Sequence, residues 1–119
     1  MSQPEMRVDS DGSKRWYLNG KLHREDGPAV EWSDGSKHWL LNGKLHREDG
    51  PAVERSDGTK QWFLNGEPHR EDGPAVDRSD GIKYWFLHGE DVTWQQLFHN
   101  ANGDLEKECR ILTYALTTS

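Results

Sequence analysis

Residues 34–56 read DGSKHWLLNGKLHREDGPAVERS, and nearly the same 23 letters stand on either side of them. Asp11 opens DGSKRWYLNGKLHREDGPAVEWS and Asp57 opens DGTKQWFLNGEPHREDGPAVDRS, while a fourth copy from Asp80, DGIKYWFLHGED, breaks off halfway. A fixed period of this length marks a repeat architecture, in which each unit is one supersecondary element too small to bury its own apolar face. Three breaks punctuate each unit. Asp34-Gly35 and Asn42-Gly43 are two-residue hairpin signals, because type I′ turns need positive φ at both central residues. Asp49-Gly50-Pro51 is the third, since Pro cannot donate to a central ladder.

Between the breaks lie short strand-like runs. In KRWYLNG the period-2 rule puts Lys14, Trp16 and Leu18 on one face and Arg15 and Tyr17 on the other. Trp and Leu recur as Trp39/Leu41, Trp62/Leu64 and Trp85/Leu87, which predicts that this face is the core. After Gly89 the pattern becomes helical. Thr93 with Gln96 reads as a capping box ahead of Trp94, Leu97, Phe98 and Ala101, and Asn102-Gly103 ends that segment. A second run, with Asp104 as N-cap, carries Leu105, Cys109, Leu112 and Leu116 on one stripe with Ile111 and Ala115 beside it, so Cys109 is expected to be buried.

The expected organisation is a lead-in over 1–10, β-repeats over 11–90 (11–33, 34–56, 57–79 and a partial 80–90) and a helical cap over 91–119. The fold class is mainly β: tandem β-hairpin repeats forming an elongated twisted sheet or solenoid, its open end closed by the helices. If the apolar stripe of the tail docks on a second copy instead, the chain forms a homodimer.

The bulk numbers narrow the functions. With 119 residues there is no room for a separate catalytic domain beside the repeats. The mean hydropathy is −1.04, yet 10% of the residues are aromatic and most of these fall at one phase of the unit, which makes the core thin and aromatic. Fifteen Lys and Arg against 21 Asp and Glu give a net charge of −6. That balance opposes direct binding to nucleic acid or to an anionic membrane and favours a basic partner. A single Cys allows no internal disulfide or cysteine zinc cluster, the start of the chain has no apolar signal region, and a cytoplasmic location is expected.

The pattern WxLNGKLHxxxGPAxxxxDG resembles the MORN repeat, which places an aromatic, Asn-Gly-Lys, His, Gly and a second Asp-Gly over the same length. It is still more similar to the MORN-like units of YwqK-type antitoxin proteins and of small repeat proteins in tailed-phage genomes, over about residues 11 to 90. The resemblance implies a β-hairpin stack with a binding role. For a phage-encoded protein it implies action in the host cytoplasm on a defence or toxin protein.

His23-Arg24-Glu25-Asp26, with its copies at His46 to Asp49 and His69 to Asp72, is the motif with the most chemistry. As catalysis it would mean three identical sites without a nucleophile, so no catalytic residue, cofactor or metal is assigned. Metal ligands from successive units would stand about 10 Å apart, too far to share one ion. The structural reading is a ladder in which Arg24, Arg47 and Arg70 pair with neighbouring acids while Asp26, Asp49 and Asp72 hold the Gly-Pro turn through backbone hydrogen bonds. The ligand reading is a groove in which His23, Arg24, His46, Arg47, His69 and Arg70 meet a nucleotide or another small anion.

Positions that differ between otherwise identical units say more about recognition. Trp32, Arg55 and Arg78 share one phase, and His38, Gln61 and Tyr84 share another with Arg15. An exposed Trp beside Arg and Tyr has the composition of an interface centre, and these six are the candidate protein-binding residues. The expected function is non-enzymatic protein binding and inhibition; the alternatives are a sponge for a small anion and a MORN-type structural or membrane-associated scaffold.

Overall fold

A computed structural model of the chain describes residues 3–117, so the outermost two residues of the lead-in and of the cap lie outside it. The chain is mainly β, with fifteen short strands followed by two helices among the described residues. The strands are β1 (Glu5–Val8), β2 (Lys14–Leu18), β3 (Lys21–Leu22), β4 (Val30–Glu31), β5 (Lys37–His38), β6 (Leu40–Leu41), β7 (Lys44–Leu45) and β8 (Val53–Glu54). They continue as β9 (Lys60–Gln61), β10 (Phe63–Leu64), β11 (Glu67–Pro68), β12 (Val76–Asp77), β13 (Lys83–Tyr84), β14 (Phe86–Leu87) and β15 (Glu90–Asp91). The helices are α1 (Trp94–Ala101) and α2 (Leu105–Thr117). All pairings are antiparallel, in one sheet ordered β1-β2-β4-β5-β8-β9-β12-β13 with β3 against β2, and in three hairpins, β6-β7, β10-β11 and β14-β15. Among the described residues, no helix is long and apolar enough to cross a membrane.

The two kinds of turn separate cleanly. Asn19-Gly20, Asn42-Gly43 and Asn65-Gly66 all have positive φ at both residues, as a type I′ turn requires, and His88-Gly89 does the same in the fourth unit. The Asp-Gly pairs do not form that turn. Only the glycine is left-handed there, Gly35 N–H donates to Trp32 O, and Trp32 N–H donates to Ser36 O. This is a type I turn ended by a left-handed glycine. Asp34 stays outside the left-handed region because its carboxylate accepts from the Ser36 N–H at 2.8 Å. That backbone hydrogen bond, ahead of the Ser36 hydroxyl, holds the Asp34 carboxyl below its ordinary range.

At each Trp the chain changes partner. Trp39 N–H donates to Ala52 O, and Trp39 O accepts from His46 N–H, so β5 pairs on one side of this residue and β6 on the other. In the first three units the Trp face is not the core, contrary to the sequence expectation; only Trp85 of the fourth is buried. In the first three units the buried apolar residues are Ala29, Val30, Leu40, Ala52, Val53 and Ala75, mostly from the Gly-Pro-Ala-Val segment, while Trp16, Trp39 and Trp62 are only half-buried. The reason is what covers the indole: Arg24, Arg47 and Arg70 lie 3.9, 3.9 and 3.8 Å above the Trp16, Trp39 and Trp62 ring centroids. A cation over the ring face takes the place of apolar packing.

The fourth unit shows the alternative. Val92 and Thr93 stand where His and Arg stand in the others, with Val92 N–H donating to Trp85 O as His23 does to Trp16 O. With no arginine above it, Trp85 is buried beneath Leu97 of α1 and Ile111 of α2. Thr93 has become the N-cap of α1, with the reciprocal Gln96 bond, and Asn102 closes the helix in the left-handed conformation. Asp104 Oδ1 accepts from Lys107 N–H at the start of α2.

The buried stripe of α2 is also not the expected one. Ile111, expected beside the stripe, is fully buried with Tyr114 packed next to it and Leu112 half-buried, whereas Leu105, Leu116 and Cys109 are exposed. The helix is rotated because Lys107, Arg110 and Tyr114 are drawn to Glu71, Asp72 and Arg70 of the third unit, which fixes the face turned inward.

Candidate functional site: the face of non-identical residues

The register of the large sheet builds one row from the variable residues. Arg15 lies opposite Val30, Val30 opposite His38, His38 opposite Val53, Val53 opposite Gln61, Gln61 opposite Val76 and Val76 opposite Tyr84. Directly opposed residues point to the same side, so this is one continuous strip across the sheet. Trp32, Arg55 and Arg78 follow Val30, Val53 and Val76 by two residues and join the same side.

The two variable phases therefore meet within each unit. Asp9 forms an ion pair with Arg15. The corresponding pair in the next unit is Trp32 and His38, whose rings meet edge to face with centroids 4.3 Å apart; Trp32 is not the exposed side chain expected from the sequence but is half-buried, packed against Ala29, Val30 and Leu40. Burial, and secondarily the charge of Arg55, holds the His38 pKa below its ordinary value. Arg55, Gln61, Arg78 and Tyr84 line an open depression of about 630 Å³ floored by Val76 and Phe86. Tyr84 is 43% exposed and Arg78 reaches Asp80 at 2.8 Å. All six residues singled out from the sequence as protein-binding candidates are thus brought to one side, flanking a row of valines of which Val30 and Val53 are buried.

The six candidates for a small anion lie elsewhere and are engaged. On β2, Trp16 points to the opposite side from Arg15, and Arg24 lies over it. Arg24 Nε donates to Asp26 Oδ1 at 3.1 Å, and its Nη1 donates to Pro28 O and Glu31 Oε2, both at 3.2 Å. Arg47 repeats this with Asp49, Pro51 and Glu54, and Arg70 with Asp72 and Pro74. The arginine, rather than the aspartate, is what holds the Gly-Pro turn; the aspartates accept from its Nε. His23, His46 and His69 each accept a backbone N–H at Nδ1, from Asn42, Asn65 and His88, so each ring stitches its unit to the next. Acceptance at Nδ1 places the proton of the neutral ring on Nε2, which lies 3.6 to 3.8 Å from Glu25, Glu48 and Glu71. Burial, then the charge of His88, lowers the His69 pKa against the opposing pull of Glu71.

Two further groups carry the join between units and were not singled out from the sequence. Ser13, Ser36 and Thr59 accept from the N–H of Ser33, Ser56 and Ser79 at 2.9 to 3.1 Å. The signal was the hydroxyl kept at that phase and replaced by Ile82 in the fourth unit, where no further strand follows in the sheet. A charge row runs along the other side of the sheet: Lys14, Glu31, Lys37, Glu54, Lys60, Asp77 and Lys83 oppose one another in alternating sign. Much of the chain's charge is thus used internally. No protein-family model, curated protein or solved structure matches the chain.

Proposed function

We propose that this chain is a non-enzymatic protein-binding module, a tandem array of MORN-like 23-residue hairpin units wound as an elongated twisted sheet or solenoid and closed by its helices. It binds its partner through the side bearing Trp32, His38, Arg55, Gln61, Arg78 and Tyr84. The carrying observation is the convergence of these residues, which differ among near-identical units, into one row beside buried valines. Aromatic and arginine side chains around an apolar floor match the composition of interface centres. The likeness of the unit to YwqK-type antitoxin and tailed-phage repeat proteins supports an inhibitor of a host defence or toxin protein, acting in the cytoplasm.

The sponge for a nucleotide or similar anion has weaker support, because each arginine already serves an aspartate, a proline carbonyl and, in the first two units, a glutamate. The two readings separate in one set of assays. Arg55→Glu weakens partner binding by about tenfold or more while leaving the melting temperature close to that of the parent; Trp32→Ala weakens binding likewise and also lowers the melting temperature, because its ring packs against Ala29, Val30 and Leu40. A nucleotide that raises the melting temperature of the parent, with the rise abolished in Arg47→Ala, would favour the sponge instead.

A further inference from the structure

The third His-Arg-Glu-Asp ridge is occupied by the chain's own α2, and the first two are not. Lys107 Nζ reaches Glu71 Oε1 at 3.1 Å, Arg110 Nη1 reaches Asp72 Oδ2 at 2.9 Å, and Tyr114 Oη accepts from Arg70 Nη2 at 3.2 Å. These three residues stand at i, i+3 and i+7, on one face of the helix. Tyr114 also completes a sandwich: the Arg70 guanidinium lies 3.8 Å from the Trp62 ring centroid and 4.9 Å from that of Tyr114. The ring rests on bare backbone, since a Cβ on Gly73 would come within 2.9 Å of Tyr114 Cε2.

We propose that the two equivalent ridges, Arg24-Glu25-Asp26-Gly27 and Arg47-Glu48-Asp49-Gly50, dock a basic helix of another protein, with cations at i and i+3 and an aromatic ring at i+7. Both hold the arginine on the aspartate and the proline carbonyl as the third does, with a further bond to Glu31 or Glu54 in place of the one to Tyr114. The Asp26 and Asp49 side chains are 88% and 89% exposed against 25% for Asp72. Arg24 and Arg47 are 23% exposed against 10% for Arg70, each with a Trp ring on one face. A groove of about 650 Å³ with Trp39 and Leu41 in its floor adjoins the first ridge, and one of about 640 Å³ with Trp62 and Leu64 adjoins the second, its far wall formed by the third ridge with Lys107 and Arg110 of α2. Arg47 and Arg70 cover the Trp39 and Trp62 ring faces, so these floors offer only the ring edges and the leucines, and the polar contacts carry the docking. Docking here is independent of the variable row, because Trp16 and Arg15 face opposite sides of β2.

The probe is a synthetic peptide of residues 104–117 held helical by a hydrocarbon staple joining positions 105 and 109, both exposed in α2. It is titrated into the full-length ¹⁵N-labelled protein. Saturable shifts of the backbone amides of Arg24 to Gly27 and Arg47 to Gly50 are expected. The same peptide with Lys107→Glu and Arg110→Glu should bind about tenfold more weakly, and one with Tyr114→Ala roughly fourfold more weakly. The substitutions are in the peptide, so the protein's folding is not at issue. Equal binding by the charge-reversed peptide, shifts confined to residues 70–73 or to the variable row, or no shifts at millimolar peptide would each overturn the proposal.

Discussion

Gly50→Ala tests how the letters repeated in every full unit act. Gly50 lies outside the left-handed region, so an Ala is allowed there by the backbone; its methyl, however, would sit 2.9 Å from Arg47 Cζ and 3.1 Å from Nε. Ordinary contact is about 3.5–4.0 Å, so the guanidinium must leave its place over Trp39. The cation–ring contact of this partly exposed arginine is worth about 1 kcal/mol, and the charged hydrogen bond to Pro51 O about 1–1.5 kcal/mol. The pairs with Asp49 and Glu54 add about 0.5 kcal/mol after screening, because Asp49 is 89% exposed. Arg47→Ala should therefore cost about 2–3 kcal/mol. Gly50→Ala loses most of the same contacts but restricts the unfolded chain, which returns about 0.5 kcal/mol, for a net cost near 2 kcal/mol and a melting temperature lower by about 8 °C. The double variant should be no less stable than Arg47→Ala alone, and about 0.5 kcal/mol more stable, since the contact is already gone. Urea unfolding followed by tryptophan fluorescence measures all four chains. Additive costs, or a Gly50→Ala chain as stable as the parent, would refute the reasoning.

Three shorter tests follow. His38 and His69 have pKa values lowered from 6.5, so the unfolded chain binds protons first: their contribution is full above about pH 6.5 and is lost as the pH falls through the folded values. Urea midpoints should fall between about pH 7.5 and pH 5.5, and a rise over that window would contradict this sign. Val53→Ala, at a side chain 1% exposed, should cost about 2 kcal/mol, whereas Val8→Ala, 58% exposed, should cost under about 0.5 kcal/mol; equal unfolding midpoints for the two would place the core elsewhere. Cys109 should react with a thiol reagent in the native state as fast as in urea, and protection until unfolding would restore the buried stripe expected from the sequence.

What was legible in the sequence was local. Asn42-Gly43, the Thr93/Gln96 capping box and the Asn102 helix end depend on neighbours within a few residues, and each has the expected geometry. What was misread depends on partners far along the chain. Alternation placed Trp39 in the core because an indole is a large apolar group, but periodicity carries no sign that Arg47 lies over the ring. The same holds for α2: the Leu105, Cys109 and Leu116 stripe is apolar by letter, while the helix is oriented by ion pairs to Glu71 and Asp72 more than 30 residues earlier. Asp34-Gly35 was misread for a local reason, since the competing bond from Ser36 N–H to the aspartate favours a different turn. The row of six variable residues was legible as a set because their phase in the unit fixes their side of the sheet, although the meeting of Trp32 with His38 became visible only with the strand register.

The central claim is that recognition resides in the residues that differ between units. It is tested most directly by capturing partners from a bacterial lysate on the parent, on Trp32→Ala/Arg55→Glu/Tyr84→Ala, and on Gly50→Ala, with quantitative mass spectrometry of what is retained. The account predicts a stoichiometric protein partner held equally by the parent and by Gly50→Ala below its melting temperature, and lost from the triple variant. A partner held by the triple variant as firmly as by the parent would contradict it.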